Sequence, residues 1–429
     1  MTAPLVSLAI FILAVALILT DRLDRTIVAL IGASVMVAAG TWLGFYDQEQ
    51  AIDAVDYETL ALLFGMMILI ALLKPTGAFE ALAVRAARLS RGRPVVLLVA
   101  LGSVTTVLSM LLDNVTTVVL IVPVTILISE ILAISPTPFL IAEALLADTG
   151  GVGTLIGDPP NILIASAAGF SFTDFLTHAL PVVAVAWAGA LGLLLYLFRR
   201  ELAERPAETE ALANLRPEEA LKDRTTARRV TTVLAGALVL FFVQERLGFS
   251  NSFIALAAAA GAMGWVRPNV EKTLREVEWP VLVFFASLFV MVGGLEAAGV
   301  LESLAVLVVR IFNGQPVVAA VAMIWFVAAL SAVIDNVPVT IALIPVIGHL
   351  ATTGVNVAPF WWAMAFGAGF GGNATIIGSA ANVVVAQYSQ RTRTPISSRL
   401  WTRRGLPVMI LTCVVASLAL ILSYEGFAR

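Results

Sequence analysis

Long apolar runs, separated by short polar segments, fill almost the whole chain. An α-helix rises about 1.5 Å per residue, so a run of roughly 20 apolar residues crosses the ~30 Å hydrocarbon core of a bilayer. The pattern therefore predicts an all-α protein with many membrane crossings. The predicted spans are 4–20, 26–45, 57–74, 138–168, 178–198, 230–246, 251–266, 279–298, 358–388 and 405–423.

Two further apolar regions, 94–132 and 316–350, are each interrupted near the middle by an Asp-Asn pair. These pairs are Asp113-Asn114 and Asp335-Asn336, and each is followed by a new apolar run. Both regions are too long for one ordinary span. We predict that each is a re-entrant hairpin, which enters and leaves the membrane on the same side and has the Asp-Asn pair at its tip.

The two halves of the chain match each other. "LLDNVTTVVLIVPV" at 111–124 aligns with "VIDNVPVTIALIPV" at 333–346, a shift of 222 residues. "GGVGTLIGDPPN" at 150–161 aligns with "GGNATIIGSAAN" at 371–382, a shift of 221. "TGAFEALAVRAAR" at 76–88 matches the segment from 298 to 310 in the same way, and we predict that 79–89 and 301–311 are interfacial amphipathic helices. Agreement at nearly one offset indicates an internal duplication.

Lysine and arginine are concentrated in alternate connectors. If both Asp-Asn regions are hairpins, each half crosses five times, so the second half is inverted. The connectors that then share one side hold 23 of the 26 basic residues, which places them in the cytoplasm. We predict a first repeat at 1–198, a cytoplasmic connector at 199–229, an inverted repeat at 230–429, and both termini outside. The basic connectors are 21–25, 74–93, 199–229, 267–275 and 389–404.

One span in each half carries helix-breaking residues at its centre. Gly157, Pro159 and Pro160 lie within the span 138–168, and the equivalent span 358–388 contains Gly371, Gly372 and Gly378. Proline lacks a backbone donor and glycine relaxes the backbone, so we predict that both helices are broken there. Inverted repeats with broken helices are typical of secondary transporters, whose site lies near the midplane.

Polar residues cluster at the predicted tips and breaks. An ionisable residue inside a membrane indicates function, although an aspartate at a tip also caps the following helix well. Asp158 is matched by Ser379, so the site is not symmetric; this carboxylate could bind a cation, carry a proton or repel a second anion. The candidate binding residues are Asp113, Asn114, Thr116, Thr117, Thr154, Gly157, Asp158, Asn161, Asp335, Asn336, Thr340, Asn373, Thr375, Gly378, Ser379 and Asn382.

Four helix N-termini are expected to meet at this centre, and their free N–H groups suit an anion or an oxygen-rich solute. The site-forming stretches contain no Lys, Arg or His, so amides, hydroxyls and helix ends would have to hold an anion. With several aspartates present, H⁺ or Na⁺ must take part; Na⁺ near Asp113, Asn114, Asp335 and Asn336 is one candidate.

Composition agrees with this interpretation. The chain has 429 residues, of which 60% are hydrophobic and 13% charged, against about 25% charged in soluble domains. We find no hydrolase or nucleotide-binding motif and expect no enzyme, no cofactor and no nucleic-acid partner. Cys413 is expected to be a small core residue. Five tryptophans are expected to be interface anchors: Trp279, Trp325, Trp361, Trp362 and Trp401.

The Asp-Asn tips together with "GTLIGDPPN" and "GGNATIIGSAAN" resemble the ion transporter superfamily over nearly the whole chain. The most similar branches are the arsenite permeases, the melanosomal P proteins and the sodium/proton antiporters of the NhaD type, and the divalent anion/sodium symporters are more distant. The resemblance implies a homodimer with a scaffold, a mobile transport part and elevator-type alternating access. It carries functional roles to Asp113, Asn114, Thr116, Thr154, Gly157, Asn161, Asp335, Asn336, Thr375, Gly378 and Asn382.

In the dicarboxylate symporters the tips carry Ser-Asn-Thr motifs, whereas here they are Asp113-Asn114-Val115 and Asp335-Asn336-Val337. That departure favours proton coupling or a differently built sodium site. We therefore expect each aspartate to be needed for gradient-driven transport.

The leading hypothesis is a secondary transporter for a small inorganic or organic anion, or an anion-like solute, coupled to H⁺ or Na⁺. Arsenite or antimonite efflux is a specific candidate, with arsenite passing as a neutral hydroxide because the lone Cys413 excludes three-thiolate capture. Alternatives are a Na⁺/H⁺ antiporter, a di- or tricarboxylate symporter and a passive anion channel. The expected location is a lipid bilayer, the bacterial inner (plasma) membrane.

Overall fold

The computed structural model describes residues 2–19, 23–203, 216–300, 315–352 and 354–428. Within these ranges, seven helices are long and apolar enough to cross a membrane, and five shorter apolar helices accompany them. The prediction of an all-α polytopic membrane protein is confirmed. The chain is an integral membrane protein.

The first half matches its predicted spans closely. The interfacial segment near residue 80 is helical, and the region 94–132 is a helical hairpin broken around Asp113. The predicted span 138–168 is two helices. In order, the helices are α1 (Thr2–Leu19), α2 (Arg25–Leu43), α3 (Gln48–Asp53), α4 (Tyr57–Leu73), α5 (Ala78–Ser90), α6 (Pro94–Ser109), α7 (Asn114–Ile131), α8 (Thr137–Gly151), α9 (Pro159–Ala168) and α10 (Phe172–Leu197).

The connector 199–229 is partly helical, and residues 204–215 of it lie outside the described ranges. The predicted amphipathic segment at 301–311 lies outside them too. The remaining helices are α11 (Pro217–Ala220), α12 (Arg224–Leu247), α13 (Asn251–Val266), α14 (Val270–Arg275), α15 (Trp279–Ala297), α16 (Pro316–Ser331), α17 (Asn336–Thr352), α18 (Ala358–Gly371), α19 (Ala380–Ser389), α20 (Ser398–Leu422) and α21 (Tyr424–Phe427).

The helices form two packed groups. In the first, α2 packs on α1 and α15, and α13 packs on α4 and α12. In the second, α6 packs on α8 as α16 packs on α18, and each hairpin's second helix reaches the broken helix of the other half: α7 packs on α19, and α17 on α9. The duplication is therefore visible as matching helix pairs, and the hairpin helices interlock the two halves.

The basic connectors meet at one end of the molecule. Lys74 Nζ lies 3.9 Å from Glu276 Oε2, and the amide of Lys222 donates to the carbonyl of Thr76 at 2.8 Å. Arg404 at the start of α20 pairs with Glu201 at 3.0 Å. The side chain of Thr26 reaches the carbonyl of Pro280, which joins the starts of α2 and α15. The basic connectors that the charge pattern assigned to one side of the membrane therefore lie at the same end of the molecule.

The two hairpins enter from opposite ends. The base of the first hairpin lies at the basic end, where Thr137 Oγ1 is 2.9 Å from Thr394 Oγ1. The base of the second lies at the other end, where Asn356 donates to the carbonyl of Ala428 at 2.7 Å. This is the arrangement that inverted repeats require.

Three tryptophan predictions are wrong. Trp361, Trp362 and Trp401 are buried in the second helix group, because other aromatic rings surround Trp362 and the indole N–H of Trp401 donates to the carbonyl of Asn373. Trp362 stacks on Phe170 with ring centroids 4.5 Å apart. Cys413 is fully buried, as expected of a core residue.

Candidate functional site

The hairpin tips place an aspartate outside each second helix and an asparagine inside its first turn. Asp113 caps α7: its Oδ1 accepts the N–H of Thr116 at 2.7 Å. Asn114 donates to Asp148 Oδ1 at 2.8 Å, and its counterpart Asn336 donates to Asp158 Oδ2 at 3.1 Å. Each tip is therefore bound to a buried carboxylate through its asparagine.

The two helix breaks are held open by the same hydrogen bonds. Asn161 donates to the carbonyls of Gly151 and Thr154 at 3.1 and 2.7 Å. Asn382 donates to the carbonyls of Gly372 and Thr375 at 2.9 and 3.0 Å. Carbonyls freed by the break are thus satisfied inside the protein, as membrane depth requires.

Threonine and serine hydroxyls tie each break to its own hairpin. Thr154 donates to the carbonyl of Met110, and Thr375 donates to that of Ala332. Ser109 and Ser331 bind the last turns of α8 and α18 at 2.8 and 2.7 Å. The duplicated sequence therefore produces a duplicated polar frame.

A glycine is required at each break because backbones approach closely. A Cβ at Gly157 would lie 2.5 Å from the carbonyl oxygen of Gly151, and one at Gly378 would lie 2.7 Å from that of Gly372. Distances below 3 Å are prohibitive for carbon against backbone oxygen, so neither position accepts a side chain without a shift.

The tips and breaks border a cavity of about 80 Å³ between the two helix groups. Its wall also includes Arg25 and Glu278, which come from the first group. Arg25 Nη1 pairs with Asp335 Oδ2 at 2.9 Å, and Thr116 Oγ1 lies 3.4 Å from Glu278 Oε1. Both contacts join one helix group to the other across the cavity.

Six of the predicted residues line this cavity, and the others hold its frame. Thr117 and Thr340 donate to backbone carbonyls one turn earlier in their own helices, and Asn373 donates to Thr149. The lining residues from the prediction are Asp113, Asn114, Asp158, Asp335, Asn336 and Ser379.

Sequence reasoning missed four charged residues. It expected no basic side chain at the site, but the fold brings Arg25 there from the start of α2. Glu278 lies 222 residues after Asp56, and both residues precede equivalent spans, which was an available signal. Asp148 and Glu143 are ionisable residues within the span 138–168, where any such residue indicates function.

A cavity bordered by two hairpin tips and two broken helices in an inverted duplication defines a membrane transport protein rather than an enzyme. The chain belongs to the citrate transporter family, whose model matches residues 15–367. The resemblance to the ion transporter superfamily is thereby confirmed.

Its relatives are transporters and membrane proteins. The chain is 38% identical to an uncharacterized transporter of Mycobacterium tuberculosis over 99% of both chains. It is 30% identical to the P protein of Homo sapiens, matching 95% of this chain and 58% of that protein. Among solved structures, the YdaH transporter of Alcanivorax borkumensis covers 99% of this chain and 98% of its own at 15% identity, with a TM-score of 0.58. That likeness concerns the fold.

Proposed function

We propose that the protein is a secondary active transporter that moves a small anion, or a neutral anion-like solute, together with H⁺ or Na⁺. The observation that carries this proposal is the charge of the cavity wall. Asp113, Asp158, Asp335 and Glu278 line it, and among the described lining residues the one basic side chain is Arg25.

An anion alone would be repelled from such a wall. Two like charges 4 Å apart repel by about 4 kcal/mol at an effective dielectric constant of 20. An anion such as citrate therefore needs protons or cations on the carboxylates before it can bind. Arsenite avoids the problem because it is a neutral hydroxide that hydrogen-bonds to amides and carboxylates.

Alternating access by elevator movement fits the packing. The cavity lies between the two helix groups, and polar contacts such as Arg25–Asp335 cross it. Movement of the hairpin group along the other would break these contacts and expose the site on the opposite side. The first group would then be the scaffold of the proposed homodimer.

A Na⁺/H⁺ antiporter is the second candidate. The excess of carboxylates on the wall favours it, because cations alone would then neutralise the site. Under this hypothesis no anion binds, and Arg25 serves only to hold Asp335.

Flux into proteoliposomes separates these functions. Purified protein would be tested with arsenite, citrate, succinate, chloride and Na⁺ under imposed pH and Na⁺ gradients, with Asp158→Asn vesicles and protein-free vesicles as controls. Accumulation of an anion or arsenite against its gradient supports the proposal, and Na⁺ movement without any anion supports the antiporter. Passive equilibration of a solute that does not depend on the pH or Na⁺ gradient would contradict both the proposed transporter and the antiporter.

A further inference from the structure

Asp148 is a buried carboxylate that joins the first hairpin tip to the second helix break. It lies in the last turn of α8 and is 2% exposed. Its Oδ1 accepts from Asn114 Nδ2 at 2.8 Å and from Ser379 Oγ at 3.0 Å. Its Oδ2 is also buried and accepts no hydrogen bond from the residues that the structure describes. One oxygen of this carboxylate is thus left without a partner.

The duplication explains why Asp148 is there. In one half, the tip residue Asn336 donates to Asp158. The position equivalent to Asp158 in the other half is Ser379, so the carboxylate that should meet Asn114 is missing. Ser379 instead donates to Asp148, and Asp148 meets Asn114. Asp148 therefore supplies from α8 the carboxylate that the duplication leaves out at position 379.

The second half carries no carboxylate at the position that matches Asp148. The equivalent of Asp148 in the second half is Gly369, where an added Cβ would lie 2.1 Å from Val152 Cγ2. A side chain at that position would require Val152 to move. Both carboxylates accordingly come from the first half, and each is bound by the tip asparagine of a different hairpin.

The chemistry of Asp148 suits a proton. A buried carboxylate anion with an unpartnered oxygen is unfavourable, and a proton on that oxygen removes the charge. Metal cations take several oxygen ligands, whereas the two side chains that contact Asp148, Asn114 and Ser379, both donate hydrogen bonds to it.

We propose that Asp148 is a proton-binding residue of the transport cycle, and that it is paired with the first hairpin tip as Asp158 is paired with the second. This rests on the proposed function. On loading, an O–H bond forms at Oδ2 and the carboxylate loses its charge; on release, the proton returns to water and the charge is restored. Protonation weakens the hydrogen bond that Asn114 donates to Asp148, and loss of the proton strengthens it. The hairpin tip that carries Asn114 therefore responds to the proton.

Other charged and ionisable groups lie near Asp148. Asp335 and Asp158 interact with it electrostatically, and Arg25 offsets Asp335. α6 and α18, which pack on α8, carry no acidic or basic side chain. The remaining ionisable residues on α8 and the helices packed against it are Glu143, Asp113 at the start of α7, Glu130, Asp174, His178, Tyr196, Tyr388, Arg399, Arg403, Arg404 and Cys413.

Infrared difference spectra over a pH titration test the proposal directly. The wild-type spectrum minus that of Asp148→Asn should contain one protonated-carboxyl band that grows on acidification. Glu143→Gln is a matched control: this residue lies on the same helix, is 1% exposed and has an unpartnered Oε2, but binds Thr125 rather than a tip. It should leave that band in place. A difference spectrum with no titrating band would overturn the proposal.

The coupling to the tip has its own readout. Val115 and Val337 line the cavity beside the two tip asparagines. In a Cys413→Ala background, the labelling rate of Val115→Cys would be divided by that of a free thiol at the same pH, because only the thiolate reacts. This ratio should change with pH, and Asp148→Asn should abolish the change while Val337→Cys keeps its own. Adding Ser379→Asp to Asp148→Ala should restore it. Unaltered pH dependence in Asp148→Asn would refute the link, and neither readout depends on finding a transported solute.

Discussion

The two hairpin tips have the same three residues, Asp-Asn-Val, yet they make different contacts. Asp335 is paired with Arg25 from the other helix group at 2.9 Å. Asp113 caps its own helix, and no described lysine, arginine or histidine lies within ion-pair distance of it. The bonds that keep the breaks open are instead almost identical in both halves.

This difference separates two kinds of constraint. Backbone groups at membrane depth must be satisfied wherever a helix breaks, so the asparagine, threonine and glycine frame was kept in both halves. Charged groups carry no such requirement and diverged. The asparagine, threonine and glycine frame therefore indicates the architecture, and the charged residues indicate the function.

The largest effect is expected where the halves agree. Gly157→Ala and Gly378→Ala each force a Cβ against a backbone oxygen, at 2.5 and 2.7 Å. We expect each to lower stability by about 1–3 kcal/mol and to reduce transport strongly. Gly192→Ala, whose Cβ would meet nothing within 4 Å, is the control. Thermal unfolding in detergent measures the stability of each variant, and vesicle flux measures its transport. If Gly378→Ala had no effect while Gly157→Ala did, the two breaks would not be equivalent.

A smaller effect should separate the two tips. Asp335→Asn removes a cross-group ion pair and should slow transport about tenfold, as loss of a charge-assisted hydrogen bond does. The sequence alone led us to expect that each aspartate is needed, but the contacts assign the larger effect to Asp335. Asp113→Asn keeps a helix cap, since asparagine caps about as well as aspartate, and should change the rate about twofold to threefold. The sequence alone treats these aspartates alike. Equal rates for the two variants would contradict the distinction that the contacts make.

The ion pair itself should be measurable in a double-mutant cycle. Arg25→Gln, Asp335→Asn and the double variant give the coupling between the two side chains, which are 39% and 19% exposed. Partial exposure suggests about 1 kcal/mol, a several-fold effect on the transport rate. Additive effects would show that the pair does not bridge the helix groups during the cycle.

The smallest functional effect is expected from topology probes. In a Cys413→Ala background, Glu219→Cys and Ser397→Cys should resist an impermeant thiol reagent in intact cells, whereas Gln48→Cys should react. All three positions are exposed, so differences in labelling report sidedness. Labelling of Ser397→Cys from outside would reverse the assigned orientation.

The sequence predicted the architecture well because it is repeated. Span positions, hairpins, breaks and the tip residues follow from apolar length, Gly and Pro, and a constant offset. Arg25 and Glu278 could not be predicted as lining residues, because their distance from the tips depends on how two separately folded helix groups face each other. The buried tryptophans were missed because apolar length does not distinguish a lipid-facing ring from a core ring.

The role of Asp148 could not be predicted from the duplication. Alignment of the halves shows that Asp158 lacks a partner at Ser379, but it cannot show that a residue ten positions earlier fills the gap. That substitution appears only when Asn114, Ser379 and Asp148 are seen to share one oxygen.

Cysteine accessibility at the two tips tests the central claim, a single cavity that opens alternately to the two sides. Val115→Cys and Val337→Cys would be treated with an impermeant thiol reagent in right-side-out and inside-out vesicles. The cavity lies at the starts of α2 and α15, which the charge pattern places in the cytoplasm. The account predicts that resting protein is labelled from the cytoplasmic face, and that labelling from the outer face appears only during turnover under a proton or sodium gradient. Labelling from both faces at rest would indicate an open pore and contradict it.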